Sequence, residues 1–203
     1  MKKNKKWWIF FSLVGLFLIL SGLVVLKSTT QIDEIVYQFL HLFSHDSVTI
    51  FFQVITELGY VPGILILLLI LLVLFRNYRF AYILPIHAGF IVLLNLVLKS
   101  IFSRPRPLFP HLVEVTGFSF PSGHAMATMA VYGYLIYLTH HYIKNKTYRY
   151  FLDALLIMII LCVGLSRIYL GVHYFTDVLA GFSVSICYLM VVTHLSIFKL
   201  EEA

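Results

Sequence analysis

From Trp7 to Leu26 the chain runs for 20 residues without a charged side chain. As a helix rising 1.5 Å per residue, such a stretch covers about 30 Å, the thickness of a bilayer's hydrocarbon core. Further apolar runs follow at Val61–Phe75, Phe80–Leu98, Gly123–Leu138, Tyr150–Leu165 and Tyr174–Phe198. Only 12% of residues are charged and 61% are apolar, where a water-soluble domain carries roughly 25% charged residues. Too few charges remain to cover a surface facing water, so lipid must be the solvent. The expectation is an all-α polytopic membrane protein with six transmembrane helices, residues 1–203 forming one membrane-embedded domain.

The runs differ in quality. Val61–Phe75 is short and begins with Pro62-Gly63, so it needs help from Leu58–Tyr60. Phe80–Leu98 holds Pro85, His87 and Asn95, which predicts a kinked helix packed against protein. Between the first two spans, Ile32, Val36, Phe39, Leu40 and Phe43 recur at helical spacing in a half-polar segment. That pattern predicts an amphipathic helix in the membrane interface, followed by a second such segment. The N-terminal MKKNKK and its apolar run resemble a signal peptide, but the run exceeds an h-region of about 7–15 residues and KSTTQ offers no small-residue cleavage site. It reads as a retained first span.

Charge sets the orientation. With the N-terminus inside, the inner side collects ten basic residues, Lys2, Lys3, Lys5, Lys6, Arg76, Arg79, Lys144, Lys146, Arg149 and Lys199. The outer side collects five, Lys27, Lys99, Arg104, Arg106 and Arg167. Basic residues favour the cytoplasmic side, so both termini are expected in the cytoplasm of a plasma-membrane protein. The net charge of +6 sits in short clusters between apolar runs, which speaks against a nucleic-acid partner. Cys162 and Cys187 lie within apolar segments, without metal-ligand spacing, and read as buried hydrophobes.

Four of the five outer cations fall in three strings that this topology brings to one membrane face. The strings are Lys99 to Arg106-Pro107, Pro121-Ser122-Gly123-His124, and Ser166-Arg167 to His173 and Asp177. Lys99, Arg106 and Arg167 supply three cations, two of them forked donors that match phosphate oxygens. Ser122 reads as an N-cap, and the N–H groups of the helix start behind it make an anion site. Gly123 would let a phosphate approach the main chain. His173 and Asp177, four apart, would share one helix face, where the carboxylate holds one ring nitrogen and aims the other. That is the arrangement of a nucleophilic histidine, with His124 placed to protonate a departing oxygen. No carboxylate cluster for Mg²⁺ or Zn²⁺ accompanies them, so no cofactor is expected. Each string alone has a bland reading: a lysine reaching for head groups, a helix terminator, a capped turn. All three in this order at one face are hard to assign to chance.

The strings K-x6-R-P, P-S-G-H and S-R-x5-H-x3-D resemble the signature of the type 2 phosphatidic acid phosphatase superfamily, over residues 99–177. The resemblance implies His173 as nucleophile, Asp177 as its orienting partner and His124 as general acid. It implies Lys99, Arg106, Ser122, Gly123 and Arg167 as phosphate ligands. Arg104-Pro105 repeats the Arg-Pro two residues early, and Arg104 is left to contact lipid head groups. The small chain resembles bacterial members that act on lipid phosphates, with phosphatidylglycerophosphate the leading substrate. Undecaprenyl pyrophosphate and phosphatidate are the alternatives. The aromatic loop Phe109–Phe120, with Phe109, Phe118 and Phe120 beside the phosphate-binding strings, is a candidate rim for lipid entry. Two rivals remain: vanadate-dependent haloperoxidase chemistry, disfavoured by the hydropathy, and a lipid or phosphate carrier, which would have no need of His173, Asp177 and His124 together.

Overall fold

A computed structural model describes residues 2–194 as eight α-helices. They are α1 (Lys2–Val25), α2 (Thr30–His41), α3 (Asp46–Thr56), α4 (Val61–Leu74), α5 (Phe80–Phe102), α6 (Gly123–Tyr142), α7 (Lys146–Tyr169) and α8 (Phe175–Val192). No strand occurs among the described residues. Residues 195–198 of the expected last span, and Lys199, lie outside them.

Helices α1, α5, α7 and α8 are each long and apolar enough to cross a bilayer. Helix α6 is also 20 residues long but is not apolar enough by that measure. Its place in the bundle explains why. It packs against α5, α7 and α8, and Ala125, Met126, Ala130, Val131 and Tyr134 along it are fully buried. A helix enclosed by other helices needs small side chains for close approach more than it needs outward apolar ones. The large exposed apolar side chains lie instead on the periphery, among them Trp8, Phe11, Leu18 and Ile19 of α1 and Leu65, Leu69 and Val73 of α4.

The second expected span takes a different form. Helix α4 has 14 residues, about 21 Å of rise and short of the hydrocarbon core. It continues α3 through a 3₁₀ turn at Glu57–Gly59, with a bend of 55° between the two helices. Pro62 fits there, in the first turn of α4, where its missing N–H costs no helical bond. Helix α5 runs through Pro85 as one helix and buries His87 and Asn95 as expected.

The half-polar segment forms two helices. On α2, Val36, Tyr37 and Leu40 pack against Ile168 and Val178, while Ile32, Ile35 and Phe39 face outward. Its fully buried residue is polar: Asp33, at 1% exposure.

Close packing of α6 on α8 positions the start of α6. A methyl group added at Gly181 would stand 2.9 Å from the Ser122 carbonyl oxygen and 3.1 Å from the Ala125 Cβ. Gly181→Ala should therefore force the two helices apart and lower stability by about 1–3 kcal/mol, as overpacking does. Gly89→Ala meets no atom within 4 Å and should leave the melting temperature in detergent unchanged or higher.

Candidate active site

Three chain segments meet beyond the ends of α5, α6 and α7. The first is the end of α5 and the 103–122 segment after it. Lys99, in the last turn of α5, donates from Nζ to the Phe118 carbonyl at 2.7 Å. Arg106 spends its fork on the backbone: Nε to the Gly117 carbonyl (3.0 Å), Nη2 to Thr116 (2.7 Å) and Nη1 to Val172 (2.8 Å). It thereby folds the segment over the turn that joins α7 to α8.

The second is the start of α6. Ser122 is fully buried and caps the helix, its Oγ accepting from the Ala125 N–H at 3.5 Å. Asn95 of α5 pins the same turn by donating to the Pro121 carbonyl at 3.0 Å. First-turn N–H groups have no carbonyl one turn back to bond, and two of the residues that carry them, Gly123 and His124, line the cavity.

The third is the α7–α8 turn. Gly171 has φ of +73°, and a Cβ there would strike the Pro110 carbonyl oxygen at 2.3 Å, so both the turn and the close approach need glycine. The turn folds back on Arg167, whose carbonyl accepts from the N–H groups of Val172 (3.2 Å) and His173 (3.1 Å). His173 is 2% exposed. Its Nδ1 faces Asp177 Oδ2 at 3.3 Å and its Nε2 faces Arg106 Nη1 at 3.4 Å. A carboxylate only accepts, so the ring proton sits on Nδ1 and the Nε2 lone pair points at the cations.

Lys99, Arg106, Gly123, His124, Arg167 and His173 together line one cavity of about 530 Å³. Ser122 and Asp177 stand behind its wall, each 0% exposed. Arg167 is 3% exposed and donates from Nη1 to Thr56 Oγ1 at 2.7 Å, while its buried Nε has no hydrogen-bond acceptor among the described residues. A buried donor left unmade is costly, and here it belongs to a cation on the cavity wall. Such a cavity suits an anion with several oxygens.

A second cavity of about 450 Å³ adjoins the first and shares Tyr60, Gly123 and His124 with it. Apart from Asn95, its other walls are apolar, among them Ile64 and Leu68 of α4, Ala88 and Ile91 of α5 and Val131 of α6. The Tyr60 and His124 rings stack at the junction, 5.8 Å between centroids.

Three expectations need correction. His173 and Asp177 do not share a helix face: His173 lies in the turn, and Asp177 in the first turn of α8 caps the Tyr174 N–H at 2.9 Å. Arg104 does not reach for head groups; it is an interior residue, ion-paired to Asp177 at 2.6 Å and to Asp33 at 2.8 Å. The loop Phe109–Phe120 does reach the cavity, but not through Phe109 or Phe120. Phe120 is fully buried against Phe17 and Phe102, and Phe109 stacks on Tyr37 at 3.7 Å, while Val113–Thr116 line the cavity instead. Sequence reasoning missed Thr56, Glu57 and Tyr60 as cavity residues. The one signal for them was the Pro62-Gly63 break just after, which places a chain bend at this depth.

The family model described as the PAP2 superfamily matches residues 79–200. Phosphatidylglycerophosphatase B of Bacillus subtilis is 43% identical over 98 residues, which cover 46% of this chain. The match spans 47%, about half, of that relative's length. Among solved structures, a PAP2-type phosphatidylglycerolphosphate phosphatase from Bacillus subtilis aligns with a TM-score of 0.81 at 33% identity, covering 90% of this chain and 94% of that one. Aquifex aeolicus LpxE aligns with a TM-score of 0.62 at 25% identity, over 76% of this chain and 92% of that one.

Burial, and after it the charges of Arg167, Lys99 and Arg106, hold His173 well below its ordinary value near 6.5. Because the folded value is depressed, the neutral ring persists as pH falls through 6.5 and is lost only further down. Any phosphate-ester hydrolysis that needs neutral His173 should therefore show an acid limb in kcat/KM below pH 6.5, after correction for the ester's own ionisation. Arg167→Gln removes a cation and should move that limb upward.

Proposed function

The chain belongs to the PAP2 superfamily, and on that premise we propose that it is a membrane lipid phosphate phosphatase working through a phosphohistidine at His173. The observation that carries the reading is the placement of His173 Nε2, aimed at Arg106 in a cavity shared with Lys99, Arg167 and His124, with Asp177 behind Nδ1.

The chemistry balances on these groups. The Nε2 lone pair forms a bond to phosphorus as the bond from phosphorus to the ester oxygen breaks. His124 gives that oxygen its proton. The His173 imidazole gains positive charge as the N–P bond forms, and Asp177 offsets it. Water then attacks the phosphorus, losing a proton to His124, and the N–P bond breaks to release inorganic phosphate. Lys99, Arg106, Arg167, the α6 N-terminus capped by Ser122, and Gly123 hold the equatorial oxygens through both steps. These donors perform the charge neutralisation that a metal ion performs elsewhere, so we assign no metal to the reaction. Activity should survive EDTA, and vanadate should inhibit because it takes the five-coordinate geometry of the transferring phosphoryl group. Loss of activity with chelator and its return with Mg²⁺ would refute the assignment.

Phosphatidylglycerophosphate is the proposed substrate, resting on the likeness to the two Bacillus subtilis proteins. Undecaprenyl pyrophosphate and phosphatidate complete the panel against which kcat/KM of the purified protein decides. The apolar cavity between α4, α5 and α6 supports a lipid rather than a soluble ester, since it opens on the polar cavity beside His124. Gly89 lines it and has open space at its Cβ. Gly89→Leu should displace about two methylenes of a bound tail, at about 0.8 kcal/mol each, and so lower kcat/KM on lipid phosphates about tenfold. Hydrolysis of p-nitrophenyl phosphate should stay within about twofold of wild type, because its ring needs no apolar cavity. Equal losses on both substrates would remove the tail from this cavity.

The proposed topology has six spans, α3 and α4 serving as one bent span and α6 as the enclosed one, with both termini cytoplasmic and the site on the outer side. A cysteine placed in loop 108–120 should react with an impermeant thiol reagent on intact cells, and one at Asn145 should not. The reverse labelling would put the site inside.

A further inference from the structure

Arg104 lies outside the set of residues that the sequence pattern assigned to the site, and Asp33 lies outside the 79–200 segment that matches the family model. The two nonetheless form an ion pair beside Asp177. The Arg104 fork bridges two carboxylates whose side chains are 0% exposed: Nη1 donates to Asp177 Oδ1 at 2.6 Å and Nη2 to Asp33 Oδ2 at 2.8 Å. Its remaining contacts are the Thr176 and Thr29 hydroxyls, each at 2.9 Å, and the Tyr174 ring, 3.8 Å beneath the guanidinium. Asp33 in turn accepts from the Thr176 N–H at 2.9 Å and the Thr176 hydroxyl at 3.0 Å. Helix α2 is thus fastened through Asp33 to the first turn of α8, three residues beyond His173.

Stability alone is a poor reason for such a set. Burying ions costs several kcal/mol each, and apolar replacements of a buried ion pair are often neutral or stabilising. The charges here do not balance, because two carboxylates share one guanidinium. Lys99 and Arg106 feel the charge of Asp177 across the cavity wall, and the His173 Nδ1 faces its other oxygen. We propose that Asp33 and Arg104 are positioning residues for His173, acting through Asp177. Arg104 occupies Oδ1, which leaves Oδ2 to the His173 ring and the Tyr174 N–H and fixes the tautomer with Nε2 free. Asp33 keeps Arg104 from neutralising Asp177 completely, so the carboxylate retains the negative charge that the ring needs as its Nε2–P bond forms. The inference rests on the phosphohistidine reading of the site.

Asp33→Asn is the discriminating variant: it keeps the shape and an oxygen for Thr176 but removes the surplus charge. Arg104→Lys is its companion, since a point charge cannot fork between two carboxylates. Each should lower kcat by about 10–100-fold, the cost typical of losing a partner that orients a reacting group. KM and the inhibition constant for vanadate should stay near wild type, because Lys99, Arg106 and Arg167 are untouched. A merely structural role would lower the yield of folded protein, monitored by thermal unfolding in detergent, without this split. The effects should also vanish in an Asp177→Asn background, because residues acting through one partner are not additive with it. Millimolar guanidinium should restore part of the activity of Arg104→Ala, and urea should not. The proposal is overturned if folded Asp33→Asn and Arg104→Lys keep kcat within about twofold of wild type, or if their losses multiply with that of Asp177→Asn, as independent sites do. A wild-type protein that hydrolyses no phosphate ester would instead refute the functional reading itself.

Discussion

The active end of the molecule depends on one buried carboxylate. Asp177 accepts from the Tyr174 N–H and faces the His173 ring through Oδ2, and it pairs with Arg104 through Oδ1. Its backbone carbonyl accepts from the Ser122 N–H at 3.0 Å. A single residue thereby joins the α7–α8 turn, the first turn of α8, the segment after α5 and the capped start of α6. In water such a junction would be weak, since every group could exchange its partner for solvent. Here Asp177 is 0% exposed, and breaking any one contact leaves a buried polar group unsatisfied. The fold and the site are specified by the same bonds.

How far this was legible in the sequence follows from the physics of each signal. The apolar runs located the helices, because span length is set by bilayer thickness and read directly from composition. The three strings named six residues that do line one cavity, Lys99, Arg106, Gly123, His124, Arg167 and His173. Arg104 was misplaced because a basic residue at a helix end ordinarily snorkels to the interface. Its actual partner, Asp33, sits 71 positions away on α2, and no local pattern reports a pairing at that range. Helix α6 is too polar by composition for a lipid-facing span. Hydropathy measures contact with lipid, and α6 has little. A spacing of four suits a helical face, but a carboxylate at the third helical position that accepts from the N-cap N–H gives the same spacing. The bend between α3 and α4 was visible only as Pro62-Gly63, which marks a break without giving its angle.

The cavity's electrostatics are lopsided by construction. Three cations line it, and of the acidic side chains only Glu57 and Glu114 join them there. In a low-dielectric setting that excess is expensive in the absence of an anion, and it is offset by spending donors on backbone carbonyls. Arg106 gives three of its hydrogen bonds to main-chain oxygens and Lys99 gives one. Neutral acceptors of this kind satisfy the donors without cancelling the charge, so the attraction for a multiply charged ligand survives. A carboxylate partner would have stabilised the empty site more and the occupied site less. Arg104, which is paired with two carboxylates, does not line this cavity.

The junction of the two cavities fixes where a bond can break. On the functional reading given above, a lipid phosphate has one end that only the cationic cavity satisfies and one that only the apolar cavity satisfies. The ester oxygen between them must then lie where the cavities meet, at Tyr60, Gly123 and His124. His124 is on that wall, and His173 is on the polar side alone. In-line displacement requires the attacking atom and the departing oxygen to stand on opposite sides of phosphorus. On that reading, a nucleophile on the polar side and an acid at the apolar margin flank the phosphorus as that requirement asks. That placement supports the proposed assignment of His173 to attack and His124 to protonation, independently of the order in which the two residues occur in the chain.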